Sequence, residues 1–175
     1  MVTITISGTP GSGKSTVAQL LEKRLGIPYV YSGMIFRTLA KKYDMSLEDF
    51  GKYCETHENV DKKIDEEQLD VLKKGNVIIE GRLAGWLSYE HKIPAFTVFI
   101  DADIDIRAAR IVERENGTVE QRKREIRKRE RSEALRYKQY YGVELSNNSI
   151  YDLVIDSSEK TAEEIVDMIL KHVKK

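Results

Sequence analysis

The run Gly8-Thr9-Pro10-Gly11-Ser12-Gly13-Lys14-Ser15 places glycine, lysine and a hydroxyl at the spacing G-x-x-x-x-G-K-[ST], and Thr16 adds a second hydroxyl. That spacing suits the binding of a polyphosphate. Glycines let successive backbone N–H groups converge on phosphate oxygens with no side chain in the way. A helix beginning at the lysine adds free N–H donors and the positive end of its dipole. Lys14 is expected to reach the β- and γ-phosphates of a nucleoside triphosphate, and the Ser15 hydroxyl to ligate Mg²⁺. The flanks agree. Val2-Thr3-Ile4-Thr5-Ile6-Ser7 reads as a short buried strand, and Val17, Leu20, Leu21 and Leu25 share one helical face. The motif alone does not choose between a kinase, a GTPase and an ATP-driven motor. No Asn/Thr-Lys-x-Asp guanine-reading motif is evident, which weighs against the GTPase.

A kinase must also hold an acceptor in line with the γ-phosphate, whereas a hydrolase positions water. Two short segments have the right chemistry. Ser32-Gly33 follows the strand-like Tyr29-Val30-Tyr31, with Arg37 four residues beyond Gly33; Gly81-Arg82 follows Asn76-Val77-Ile78-Ile79-Glu80. Two guanidinium forks suit a phosphate dianion. Singly, Arg37 also reads as a surface arginine and Arg82 as a salt-bridge partner; together, beside a phosphate loop, they favour an acceptor site. Glu80 reads either as an acid supporting Mg²⁺ through water or orienting Arg82, or as a strand-end acid in an ion pair. Asp101, at another strand end, reads as structural.

Arg107, Arg110 and Arg114 share one helical face, Asn116-Gly117 makes a turn, and Arg129, Glu133 and Arg136 share a face of the next helix. Residues 107–136 hold eleven Lys or Arg against six Asp or Glu, so this stretch is strongly cationic in a chain with no net charge. A hinged helical flap over the triphosphate would exclude water and bring positive charge to the transferring group. Arg110, Arg129 and Arg136 are its candidate phosphate contacts. The plainer alternative is a solvated helix pair held by ion pairs such as Glu125 with Arg129. A nucleic-acid face is opposed by the interspersed acids and by the lack of stacking aromatics before Tyr137.

The elements that must position these residues alternate. Further strands are expected at Phe96–Ile100 and Leu153–Ile155, and helices over 59–74, 103–114 and 119–141. Ser46 with Asp49, and Thr161 with Glu164, read as helix N-caps. The pattern implies an α/β fold of three layers, a five-stranded parallel sheet with helices on both faces. Ser7, Ser32, Glu80 and Asp101 would then stand at strand C-termini along one ligand-binding edge. A 175-residue chain with 41% hydrophobic residues suits a single domain. The one cysteine, Cys54, allows no internal disulfide, and His57, His91 and His172 lack metal-ligand spacing. No run approaches membrane-spanning length, so a cytoplasmic protein is expected.

Four segments carry a resemblance: Gly8 to Thr16, Ser32-Gly33-Met34-Ile35-Phe36-Arg37, Ile79-Glu80-Gly81-Arg82, and Arg129-Glu130-Arg131-Ser132-Glu133-Ala134-Leu135-Arg136. Together they resemble the cytidylate kinase family, in its short archaeal-type branch, from end to end. The last segment is similar to the family's R-[DE]-x-x-[DE]-x-x-R lid pattern. The resemblance implies that Arg129 and Arg136 contact phosphates and that Glu133 orients them or the acceptor. It implies a P-loop kinase fold over 1–175, with an acceptor-binding helical insert at 38–75 and a helical lid at about 107–136. ATP and Mg²⁺ would serve phosphoryl transfer to CMP or dCMP, with Ser32, Gly33, Arg37, Gly81 and Arg82 at the monophosphate. Small-molecule substrates are expected, without nucleic acid or membrane partners, and a monomer. The chain departs from the bacterial branch at Leu83, where that branch has Asp, and at Phe36, where it has Tyr. Rival readings are a kinase of the same architecture acting on adenylate, uridylate or a non-nucleotide acceptor, and a nucleotide-switched RNA-binding module.

Overall fold

Strand β1 (Ile4–Gly8) is buried at every residue because it has a neighbour on each side. In the computed structural model, which describes residues 2–173 apart from the side chain of Asp61, β1 pairs in parallel with β3 (Ile78–Glu80) and with β4 (Phe96–Asp101). Strand β2 (Tyr29–Tyr31) pairs with β3, and β5 (Leu153–Asp156) with β4. The described residues thus form a five-stranded parallel sheet in the order β2-β3-β1-β4-β5. The chain reverses direction across the sheet beside β1, and ligands bind at such a switch point. The register sets Glu80 beside Ile6 and Tyr31, and Ile100 beside Gly8.

Side-chain alternation divides the core. Ile4, Ile6, Ile78, Val98 and Ile100 face helices α1 (Lys14–Leu25) and α8 (Ala162–Val173), packing on Val17, Leu21, Ile165 and Ile169. On the other face Ile79 packs with Leu72 of α4 (Glu58–Lys74) and with Leu83, Trp86 and Leu87 around α5 (Ala84–Glu90). Helix α1 stops at Gly26, which is left-handed at φ 65° and donates its N–H to Glu22 O at 2.8 Å; Pro28 follows. Both expected caps form: Ser46 Oγ accepts from Asp49 N at 3.0 Å, and Thr161 Oγ1 accepts from Glu164 N at 3.2 Å.

The first helical insertion, expected over 38–75, is entered through α2 (Ser32–Lys42), which starts directly at the end of β2. With α3 (Leu47–Thr56) it builds its own small core around Ala40, Phe50 and Cys54. The second is a helix pair, α6 (Ile104–Glu115) and α7 (Val119–Tyr141), joined across Asn116-Gly117 and packed on Ala108, Ile111 and Ile126. Beyond the pair, α7 also lies against α3: Lys128 Nζ donates to Glu48 at 3.0 Å and Tyr140 OH to Cys54 O at 2.5 Å. The Glu125–Arg129 ion pair of the plainer alternative does not form; Glu125 takes Arg122 at 2.6 Å, and Arg129 pairs with Glu133 at 2.8 Å. Met1, Lys174 and Lys175, which complete the expected 1–175 domain, lie outside the described residues. No helix among the described residues is long and apolar enough to cross a membrane.

Candidate active site

The end of β1 approaches β4 so closely that a Cβ on Gly8 (φ 150°) would stand 2.0 Å from Ile100 O. From there the loop curls over the sheet edge. Thr9 Oγ1 donates to Asp101 Oδ1 at 2.5 Å, which gives Asp101 the structural place expected of it. On the far side Ser157 Oγ donates to Ser12 O at 2.8 Å. Arg107, expected on the lid face, is instead a buried tie: it donates to Ala102 O (2.9 Å), Pro10 O (3.3 Å) and Glu130 (2.7 Å). It thereby fixes the loop against α6 and α7. Arg110 lines the cleft and donates to Ser157 O at 2.7 Å.

Lys14 folds back, its Nζ donating to Thr9 O at 2.6 Å. Burial pushes its pKa down to about 7; Glu80 pulls it up, and Arg82 and Arg129 push it further down. Ser15 Oγ donates to Glu80 Oε1 at 3.0 Å, and Tyr29 OH donates to the other oxygen of the same carboxylate. Of the alternatives open for Glu80, orienting Arg82 is not what the structure shows. Glu80 holds two hydroxyls, while Arg82 donates to Gly8 O at 2.5 Å and pairs with Glu133, Nε to Oε2 at 2.5 Å.

Glu133 is the hub of the opposite wall. It is 4% exposed, pairs with Arg82 and accepts from Arg129 Nε at 2.8 Å. Burial opposes its charge, but Arg82 and Arg129 outweigh burial and hold its carboxyl at about 2. Arg136, one turn on and 2% exposed, lays its guanidinium over Phe36 at 5.4 Å and Tyr137 at 5.6 Å from the ring centroids. Arg37 stands over Tyr31 at 6.0 Å. Ser32 Oγ donates to Glu80 O at 2.8 Å, and a Cβ on Gly81 would fall 2.1 Å from that Oγ.

These residues surround one cavity of about 460 Å³. Pro10 to Thr16 and Arg110 line one side, and Ser32, Gly33, Arg37, Gly81 and Arg82 the other; Arg129, Glu133 and Arg136 reach in from α7. Gly8 and Thr9 do not line it; they are linked to it through Arg82 and Lys14, which donate to Gly8 O and Thr9 O. Residues that sequence reasoning did not single out also reach it, namely Tyr31, Asp65, Gln68, Ser157 and Lys160. Asp65 and Gln68 carried no motif; the only available signal was two polar residues on the inward face of an amphipathic helix. No cluster of three or more His, Cys, Asp or Glu side chains among the described residues could hold a metal ion.

A complete phosphate loop at the switch point of a parallel five-stranded sheet, facing paired arginines across one cavity, defines a P-loop small-molecule kinase. The chain belongs to the cytidylate kinase-like family, whose family model matches residues 3–159. It is 42% identical to a cytidylate kinase of Methanococcus vannielii over 98% of this chain and 99% of that one. It is 40% identical to a cytidylate kinase of Methanocaldococcus jannaschii, over 95% and 94% respectively. Among solved structures, shikimate kinase from Bacteroides thetaiotaomicron superposes with a TM-score of 0.64 at 14% identity, covering 99% of each chain. That last likeness concerns the fold alone.

Proposed function

We propose that this enzyme transfers the γ-phosphoryl group of ATP to CMP or dCMP, giving ADP and CDP or dCDP. The observation that carries the reading is the single cavity with a triphosphate-type loop on one wall and Arg37 and Arg82 on the other. Its relatives' shared name, cytidylate kinase, supports the choice of acceptor. In this reading Gly8 to Thr16 and Arg110 bind ATP, and Ser32, Gly33, Arg37, Gly81 and Arg82 bind the acceptor monophosphate. Residues 38–75 form the acceptor-binding insert, and 107–136 the cover. The protein acts as a cytoplasmic monomer on small molecules rather than nucleic acid.

The transfer is direct and in line. The acceptor phosphate is already an anion, so no strong general base is required; positioning and charge stabilisation do the work. Lys14, Arg129 and Arg136 neutralise charge that builds on the transferring group and its leaving oxygen. In this reading the acceptor phosphate displaces Glu133, the carboxylate paired with Arg82. Hard oxygen donors suit Mg²⁺, and the Ser15 hydroxyl beside the Glu80 carboxylate offers such a set at the loop. Mg²⁺ would be held there by Ser15 and substrate phosphates, and would supply charge neutralisation on the phosphate oxygens.

A coupled ADP-release assay across CMP, dCMP, UMP, AMP and shikimate tests the reading. Turnover should be greatest with CMP or dCMP. Faster turnover with AMP or shikimate, or none with either cytidylate, would refute it.

A further inference from the structure

Helix α4 presents Ile64, Asp65 and Gln68 to the acceptor side of the cavity. Gln68 is 3% exposed, and its Oε1 is a buried acceptor with no hydrogen-bond partner. Leaving such a group unsatisfied is costly, so a group of this kind in a substrate cavity marks a place for a donor. The oxygen borders Gly81, where an added Cβ would come within 2.9 Å of it. Gly81 directly precedes Arg82, the arginine proposed to hold the acceptor phosphate, and both line the same cavity as Gln68.

The amide cannot turn round at will. Gln68 Nε2 donates to Asp65 Oδ1 at 3.1 Å, and Tyr141 OH donates to Asp65 Oδ2 at 2.7 Å. An ionised carboxylate only accepts, so it holds the amide nitrogen toward itself and leaves the amide oxygen beside Gly81 in the cavity wall. Rotating the amide would set its oxygen against the carboxylate.

We infer that Gln68 Oε1 reads the 4-amino group of the acceptor's cytosine, and that Asp65 and Tyr141 are positioning residues that lock Gln68 as an acceptor. The inference rests on the cytidylate reading of the same site. Cytosine offers an N–H donor at this position and uracil a carbonyl oxygen, so the locked oxygen satisfies one and repels the other. The device also ties base reading to α7, because Tyr141 is the last residue of that helix.

The test measures kcat/KM for CMP and UMP in the wild type and in Gln68→Leu, Asp65→Asn and Tyr141→Phe. Gln68→Leu should lower the CMP:UMP ratio about tenfold or more, chiefly by loss of CMP turnover. Asp65→Asn should lower the ratio by a gain with UMP, because an asparagine N–H can donate to the amide oxygen of a rotated Gln68 and leave its Nε2 free for the uracil carbonyl. Tyr141→Phe should shift it in the same direction by less. A merely structural role would depress both substrates together and leave the ratio unmoved. The unmodified protein provides a check free of folding effects: the monophosphate of 2-pyrimidinone riboside, which lacks the 4-amino group, should be at least tenfold poorer than CMP. Good CMP turnover with an unchanged ratio in Gln68→Leu and Asp65→Asn overturns this inference alone, as does equal use of CMP and the 4-unsubstituted analogue. Absence of CMP turnover in the wild type overturns the cytidylate reading and this inference with it.

Discussion

Arg82 Nε lies 2.5 Å from Glu133 Oε2, so an ion pair joins the end of β3 to the middle of α7 across the cleft. Both side chains are largely buried, at 13% and 6% exposure. Glu133 also holds Arg129, which makes one carboxylate the counterion for several guanidiniums. Removing one partner of a buried set leaves the others uncompensated, at a cost of about 3 kcal/mol. Glu133→Gln should therefore lower the melting temperature by roughly 10 °C. Added ATP should restore part of the loss, since phosphate can replace the missing carboxylate. An unchanged melting temperature in thermal unfolding would refute the hub.

The same carboxylate gives a pH dependence of known sign. Its folded pKa of about 2 lies below the ordinary 4.5, so the unfolded chain binds more protons between these values. The stability it contributes is full above pH 4.5 and is lost as pH falls from 4.5 toward 2, by about 3 kcal/mol. Urea unfolding of the wild type should show this acid limb, and Glu133→Gln should flatten it. Parallel profiles for the two proteins would mean that other carboxylates govern acid unfolding.

Lys14→Met separates function from folding. The lysine is buried, and burial disfavours its charge, so methionine sacrifices little stability; the change should stay within about 1 kcal/mol. Turnover depends on a cation at the transferring group and should fall on the order of a thousandfold. Steady-state kinetics beside denaturant midpoints would decide it. Comparable turnover in the two proteins would remove Lys14 from its assigned role.

What was legible in the chain was what is local. The Gly26 stop and both N-caps form as read because their partners lie within a few residues, and the phosphate loop was legible from its motif although Ile100, Asp101, Arg107 and Ser157 hold it from afar. The convergence of Arg129, Glu133 and Arg136 followed from helical spacing alone. Three features depended on distant partners and could not be read. Helix α5 is only seven residues, and Gly85 N at its start donates to Ser7 Oγ from another strand's end. Arg107 looked like one more cation on a lid, yet its partners are Pro10 O of the loop, Ala102 O after β4, and Glu130. The orientation of Gln68 is set through Asp65 by Tyr141, 76 residues further along the chain than Asp65.

Two glycines of the loop should respond very differently to alanine. At Gly8 the new Cβ would lie 2.0 Å from Ile100 O, a backbone atom of the adjacent strand that cannot swing aside. Separating β1 from β4 would also break the Thr9 N–Ile100 O hydrogen bond. At Gly13 (φ 91°) nothing lies within 4 Å, so only backbone strain of about 1–3 kcal/mol applies. Gly8→Ala should cost about 4 kcal/mol or more and leave little folded protein, while Gly13→Ala should fold. Equal denaturant midpoints would show that the β1–β4 approach is not the constraint.

Lys14 also predicts proton uptake on nucleotide binding. Its folded pKa of about 7 lies well below 10.5, so between these values the unfolded chain holds more protons and stability rises with pH. Below pH 7 the site holds a buried cation, and the nearby anions Glu80 and Glu133 are shared with Ser15, Arg82 and Arg129. A triphosphate brings several negative charges to the same place and raises the lysine's pKa again. ATP binding near pH 8.5 should therefore take up close to one proton, and near pH 6 almost none. Calorimetric titrations in buffers of different ionisation enthalpy measure this number directly. Lys14→Met should abolish the uptake while leaving Arg110 and the loop amides to bind ATP more weakly. An uptake at pH 8.5 that is absent in the wild type, or that persists in Lys14→Met, would mean that the proton belongs to another group and that Lys14 meets ATP already charged.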